Sequence, residues 1–278
     1  MSQFIIIGAG AAGFAAAETI RKYRPHATIR LITDDPYGYY SRPGLAYMLT
    51  HELPEQQLFP CSERDMECLG LELLYGRVTT LNPWDQSVTL EDGRRCCYDA
   101  LLLATGAGAV PPPFPGADAP GVVTLDNLDD VHRITQLARR AKSAVVVGGG
   151  ITALELVEGL QAQKVQVHYF LRRERFWSSV LDDVESQIVE ERLIHDGVQI
   201  HRHTEIQQIL VKKDWRGRRR VAGVETTNGE IIKCDIVAVA IGVPIGAVAG
   251  YLGGAVDEAL MRLMDVSIYV KNGPSYAG

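Results

Sequence analysis

Three glycines near the N-terminus, Gly8, Gly10 and Gly13, stand at the spacing GxGxxG around Ala11 and Ala12, and Gly148, Gly150 and Ala153 repeat the pattern as GxGxxA. The chemistry this spacing serves is the holding of a pyrophosphate. The first glycine allows a tight turn, and the second lets backbone come close to the phosphates. The third lets a helix close on the strand before it, so that unpaired N–H groups and the positive dipole end face the anion. A carboxylate further along would take ribose hydroxyls, and Asp34 and Asp35 lie at the end of the next apolar run.

The elements that must position these residues are legible around them. Residues 4–7 are four apolar residues, three of them isoleucine, as in a strand buried on both faces; Ala11–Tyr23 has helical composition and Thr28–Thr33 reads as a second strand. An aromatic, turn-rich loop fills 36–43, and Gly44–Leu49 could begin a helix. Alternating runs at 73–80 and 87–90, joined by a turn at 82–85, continue through the turn at 91–93 into a third run, which predicts an antiparallel meander. A buried strand at 100–106 then stops at Gly106, and the proline-rich stretch 109–116 is a linker or extended crossing segment.

After that stretch the grammar restarts. A strand at Ser143–Val147 runs into the second glycine motif, a helix continues over 154–163, and strands are expected at 165–171 and 198–201 with an amphipathic helix over 182–196 between them. A second meander covers 205–233, with the hairpin signal Asn228-Gly229, and a buried strand runs from Asp235 to Gly242. Gly8 and Gly106 are 98 residues apart, Gly148 and Gly242 are 94 apart, a period too long for a solenoid. The expected fold is α/β: two Rossmann-like dinucleotide-binding domains, each with a parallel sheet and an antiparallel β-meander excursion. Two pyrophosphate sites in one chain have an economical purpose, to bring two dinucleotides together so that a hydride passes between their rings.

Composition narrows the field. With 46 % hydrophobic and 22 % charged residues the chain is ordinary globular protein, and a net charge of −6 argues against nucleic-acid binding by bulk charge. Five cysteines, an odd number without CxxC, make a poor disulfide framework and suit thiols kept reduced in a cytoplasm. The apolar start lacks the basic flank of a signal peptide, and no run of 18 apolar residues predicts a membrane span. His201 and His203, two apart with no third ligand, do not predict a metal site. The basic stretch Lys212, Lys213 and Arg216 to Arg220 reads as solvated surface, or alternatively as a face for an acidic partner. No nucleophile, base and orienting group stand together as a hydrolase requires.

The chain resembles the two-dinucleotide flavoprotein reductases, the FAD-dependent pyridine nucleotide-disulfide oxidoreductase superfamily. The resemblance is carried by GAGAAG at 8–13, YYSRP at 39–43, YDALLLATG at 98–106, VVVGGGITALE at 145–155 and CDIVAVAIG at 234–242. The loop YYSRPGLAYML is most like the branch of ferredoxin and rubredoxin reductases and the nitrite reductase large subunit. That resemblance implies an FAD-binding domain of residues 1–110 and 244–278, with an NAD(P)-binding domain of 111–243 between. It implies FAD on Gly8, Gly10, Ala11, Ala12 and Gly13, with Asp34 or Asp35 on its ribose. Arg42 and Pro43 would lie near the flavin, Val78 would meet adenine through its backbone, and Ala104, Thr105 and Gly106 would pass close to the cofactor. NAD(P)H would lie on Gly148, Gly149, Gly150, Ile151 and Thr152, with Gly242 at the nicotinamide end and Glu155 beside the rings. Glu155 and Arg42 are the catalytic candidates; for Glu155 the alternative is an acid in the first helical turn, favoured by the dipole. Arg172 and Arg173 follow Leu171, which stands where NADH-specific members carry an acid; two guanidinium groups suit the 2′-phosphate of NADPH, although a solvated basic loop accounts for them as well.

The implied activity is an FAD-dependent NAD(P)H oxidoreductase that passes electrons to a redox protein or redox partner subunit, with a hetero-oligomer as one possible assembly. Segment 34–50 has no cysteine, so dithiol chemistry at the flavin is not expected, and Tyr47 stands where some ferredoxin reductases carry a lysine. Residues 267–270 resemble the returning strand of the FAD sheet, but Gly273 stands where the family's flavin-contacting aspartate is expected, and no C-terminal interface domain follows. A non-turnover dinucleotide-binding or assembly subunit of a larger redox complex is therefore the alternative, and a nucleotide-sensing module a third reading.

Overall fold

The computed structural model describes residues 2–109 and 111–240, with the backbone of Ile268–Val270. In chain order come β1 (Gln3–Ile7), α1 (Ala11–Tyr23), β2 (Thr28–Thr33), α2 (Gly44–Leu49), α3 (Glu63–Cys68), β3 (Leu71–Tyr75), β4 (Val78–Asn82), β5 (Ser87–Leu90), β6 (Arg95–Cys97) and β7 (Ala100–Leu103). Then follow β8 (Val122–Val123), α4 (Leu128–Ala138), β9 (Ser143–Val147), α5 (Ile151–Ala162), β10 (Gln166–Leu171), α6 (Asp183–His195), β11 (Gln199–Arg202), β12 (Ile206–Lys213), β13 (Arg219–Thr226), β14 (Ile231–Ile232), β15 (Ile236–Val239) and β16 (Ile268–Val270). The described residues form two compact units, one drawn from Met1–Ser41 and Gln56–Ala107, the other from Arg42–Glu55 and Gly108–Val243.

The first unit is built on a sheet in the order β16-β7-β1-β2-β3, parallel except for β16, which pairs antiparallel with β7. Successive isoleucines of β1 serve opposite faces. Ile6 packs with Phe14 and Ala17 of α1, whereas Ile5 packs with Val88 and Leu90 of the meander β4-β5-β6. The second unit repeats the plan with the order β11-β10-β9-β15-β8, all parallel, and the meander β12-β13-β14 covers one face through Ile206, Ile209, Val221 and Val224. In register the copies correspond as β3-β2-β1-β7 and β11-β10-β9-β15.

One sequence expectation needs correction. The run 73–80 is not one meander strand: Leu71–Tyr75 joins the parallel sheet beside β2, and only Val78–Asn82 enters the meander. Gly76 divides them, at φ +155°, where a Cβ would stand 2.6 Å from Leu90 Cδ2. Apolar alternation runs through this break, which is why it concealed the boundary. By contact, the segment Arg42–Glu55 groups with the second unit. Its α2 lies so close to α5 that a Cβ on Gly159 would stand 2.7 Å from Leu49 Cβ. Residues 244–267 and 271–278, with Gly273, lie outside the described residues.

Candidate dinucleotide sites

In the first unit the glycine turn is built by close approach. Gly8 has φ +109°, its N–H donates to the Ile32 carbonyl at 2.8 Å, and a Cβ there would lie 2.0 Å from the Ala104 oxygen. A Cβ on Gly13 would lie 2.0 Å from the Gly8 oxygen, so α1 rests directly on the turn. Gly10, the N-cap of α1, is the opposite case. Among the described residues nothing lies within 4 Å of the position a Cβ would take, no side chain caps the helix, and its first turn holds no acid. The N–H groups of Ala11 and Ala12 therefore begin a helix whose positive end is open to an anion.

The two aspartates after β2 have separate roles. The Asp35 carboxylate accepts from the Tyr37 N–H and the Tyr40 hydroxyl, each at 3.0 Å, and so folds the aromatic loop. Asp34 is more than half exposed and lines an open groove of about 560 Å³ with Thr33, Pro36, Tyr75, Gly76, Arg77 and Glu91. Arg77 stands 3.6 Å from it. Val78 begins β4 just beyond the groove, whose wall is formed instead by Gly76 and Arg77. Ala104 donates its N–H to the Ile7 carbonyl at 2.8 Å, and Thr105 and Gly106 continue from it, with Gly106 at φ +66° and open above.

The second unit repeats the device. Gly148 has φ +152°, and a Cβ there would meet the Ala240 oxygen at 2.7 Å and Ala153 Cβ at 2.9 Å. Gly149 is open, and Gly150 is the N-cap of α5, again without a capping side chain or an acid in the first turn. Ile151 and Thr152 supply the first N–H groups of α5. Glu155 lies in the second turn, not the first, so the dipole alternative does not describe it. Burial, and then the carboxylate of Glu158, pushes its carboxyl above the usual range, and it has no hydrogen-bond partner among the described residues. Arg172 and Arg173 are exposed at the end of β10, and Arg173 reaches Ser178 Oγ at 3.5 Å. Arg42 reaches the Asp126 carbonyl at 3.3 Å and its carboxylate at 3.5 Å, within the same unit, while Pro43 opens α2 at φ −58°. Gly242 lies outside the described residues. Sequence reasoning missed Arg77, Glu91 and Asp126, which reach their positions only through turns and carry no motif.

Among the described residues no cluster of three metal-ligating side chains exists, and no helix is long and apolar enough to cross a membrane. His201 pairs with His168, Nε2 to Nδ1 at 3.2 Å, and not with His203.

Two Rossmann-like units, each with an open, uncapped glycine turn, define the fold class and give the chain two candidate dinucleotide sites. The family described as pyridine nucleotide-disulphide oxidoreductase matches residues 2–250, and the chain belongs to it. It is 31 % identical over 264 residues to rhodocoxin reductase of Rhodococcus erythropolis, covering 93 % of this chain and 60 % of that one. It is 28 % identical over 275 residues to rubredoxin-NAD(+) reductase of Pseudomonas putida, covering 95 % and 70 %. Among solved structures, putidaredoxin reductase in its covalent complex with putidaredoxin superposes with a TM-score of 0.80 at 26 % identity, covering 91 % of this chain and 61 % of that one. The chain thus spans about 60 % of the length of several of the proteins it matches.

Proposed function

We propose that this chain is the dinucleotide-binding part of an FAD-dependent NAD(P)H oxidoreductase that passes electrons to a redox protein. In this reading the first unit holds FAD and the second holds NAD(P)H, with NADPH preferred through Arg172 and Arg173. The observation that carries it is the pair of open turns at Gly10 and Gly149, each at the N-terminus of an uncapped helix beside a glycine that is sterically obligatory. A side chain at Gly8 or Gly148 would strike backbone, whereas at Gly10 or Gly149 it would strike nothing among the described residues. That combination fits a cradle for pyrophosphate.

When bound, the two cofactors supply hydride and electron transfer, and the protein's part is to hold and tune them. Asp34 accepts the ribose hydroxyls in its groove. Glu155 is half-buried, and burial first and the Glu158 carboxylate second push its carboxyl above the usual range, so that it holds a proton more readily than an exposed glutamate. Relatives named as reductases of rhodocoxin and rubredoxin, and the putidaredoxin complex, support a small redox protein as the acceptor. A cytoplasmic setting completes the proposal. The test is flavin occupancy: the purified or FAD-reconstituted protein should show bands at about 370 and 450 nm and release FAD on denaturation. A protein that neither carries nor takes up FAD would fit instead a non-turnover dinucleotide-binding subunit.

A further inference from the structure

Segment 172–181, which carries Arg172 and Arg173 out of β10, is fastened from two sides. Behind it, α6 grips one residue by both backbone groups: the Phe176 N–H donates to Glu190 Oε1 at 2.7 Å, and Ser186 Oγ donates to the Phe176 carbonyl at 2.8 Å. Glu190 is 5 % exposed, Ser186 is 1 % exposed, and the other Glu190 oxygen pairs with Arg202 of β11. In front, the Trp177 N–H donates to the Gly149 carbonyl at 2.9 Å. Its indole Nε1 lies 3.9 Å from where a Cβ on Gly150 would stand, and it has no hydrogen-bond partner among the described residues. Trp177 also has φ +44°, a conformation that is strained for a bulky residue and persists only where the surroundings impose it.

A buried carboxylate engaged at both oxygens does more than satisfy one loop N–H. With Ser186 it holds both backbone groups of Phe176, and the next residue, Trp177, takes the left-handed region with its indole beside the second glycine turn. We propose that Trp177 is a binding residue of the second dinucleotide site, donating its indole N–H toward the diphosphate of a nicotinamide dinucleotide, and that Glu190 is the positioning residue that holds it there. This rests on the reading that a nicotinamide dinucleotide occupies the Gly148–Thr152 turn. An N–H directed at a charged acceptor is among the stronger hydrogen bonds, and its value here depends on the indole being fixed before the ligand arrives.

NADPH itself is the probe, because reduced nicotinamide absorbs where tryptophan emits. The chain has three tryptophans, and Trp84 and Trp215 are exposed at 94 % and 84 %. In a Trp84→Phe, Trp215→Phe protein the emission of Trp177 should be quenched by NADPH with the same Kd that calorimetry gives. Trp177→Phe should raise that Kd about fivefold, and Glu190→Ala about tenfold, the size expected for a lost or misplaced charge-assisted hydrogen bond. Glu190→Gln keeps an acceptor for the Phe176 N–H and should restore most of the affinity, a rescue that a role in stability alone would not produce. If Glu190→Ala does not fold, Ser186→Ala releases the Phe176 carbonyl only and should weaken NADPH about threefold. Wild-type protein that binds neither NADPH nor NADH overturns the occupancy of the turn and this inference with it. Wild-type binding that Trp177→Phe and folded Glu190→Ala leave unchanged overturns this inference alone.

Discussion

Gly8 and Ala104 lie so close that a methyl group on the glycine would stand 2.0 Å from the alanine's carbonyl oxygen, while two residues on, Gly10 has nothing within 4 Å. The two glycines of one motif therefore fail in different ways. Gly8→Ala adds that clash to a φ of +109° and should destabilise the fold by about 3 kcal/mol or more. Gly10 has φ −76°, which alanine adopts freely, so Gly10→Ala should stay within about 1 kcal/mol of wild-type stability. On the proposed reading it should nonetheless lose FAD affinity by about tenfold, because its methyl meets no described residue and would meet a pyrophosphate held on this turn. Thermal denaturation and FAD titration of the two variants check the pair; Gly10→Ala with undiminished FAD binding would remove the cofactor from this turn.

Glu155 carries a cost that Gln would not. Burial raises its pKa, so the neutral form is favoured in the folded protein, and the stabilisation present below the unfolded value is lost as pH rises through the folded one. Glu155→Gln should therefore raise Tm at pH 8 and leave it near wild type at pH 4, with slower flavin reduction by NADPH at both. A Tm difference that grows toward acid would reverse the sign and refute the burial argument.

Both the motif and its failures were instructive in the sequence. Ala11–Tyr23, Thr28–Thr33 and the second meander follow from apolar periodicity and turn residues, because each is a local pattern ended by a glycine, proline or Asn-Gly signal. The strand Leu71–Tyr75 was hidden because Gly76 breaks it inside one continuous alternation; the strand at the matching place in the second copy, β11, has no such continuation and was visible. α4 escaped notice although Asn127 caps it by accepting from the Asp130 N–H at 3.0 Å. At the sites, spacing identified the glycines but could not separate Asp34 from Asp35, whose difference lies in the hydroxyl of Tyr40. Glu190 and Trp177 were invisible for the same reason: their roles come from a helix and a loop meeting, not from any spacing.

His168 Nδ1 and His201 Nε2 stand 3.2 Å apart, and burial lowers the pKa of both, with the facing His201 acting further on His168 and Glu230 opposing the shift on each. The native state thus favours the neutral rings. Their contribution to stability is present above the ordinary histidine value of about 6.5 and is lost as pH falls through the lowered folded values. His168→Gln should flatten the fall in Tm between pH 7 and pH 5 relative to wild type. An equally steep fall would assign that dependence to other groups.

Arg172 and Arg173 are both exposed, and neither forms an ion pair among the described residues. They are free to meet a 2′-phosphate. The double variant Arg172→Ala, Arg173→Ala should raise the Kd for NADPH about tenfold or more and change that for NADH less than about threefold. Equal losses for both nucleotides would make them a general electrostatic feature and end the preference for NADPH.

Anaerobic titration of the FAD-loaded protein with NADPH and then NADH, followed at about 450 nm, measures whether one chain holds two dinucleotides for hydride transfer. The expected result is bleaching that is complete near one equivalent of nucleotide and recovers on admission of an oxidant. A spectrum that stays oxidised with both nucleotides, in protein shown to bind them, would contradict it.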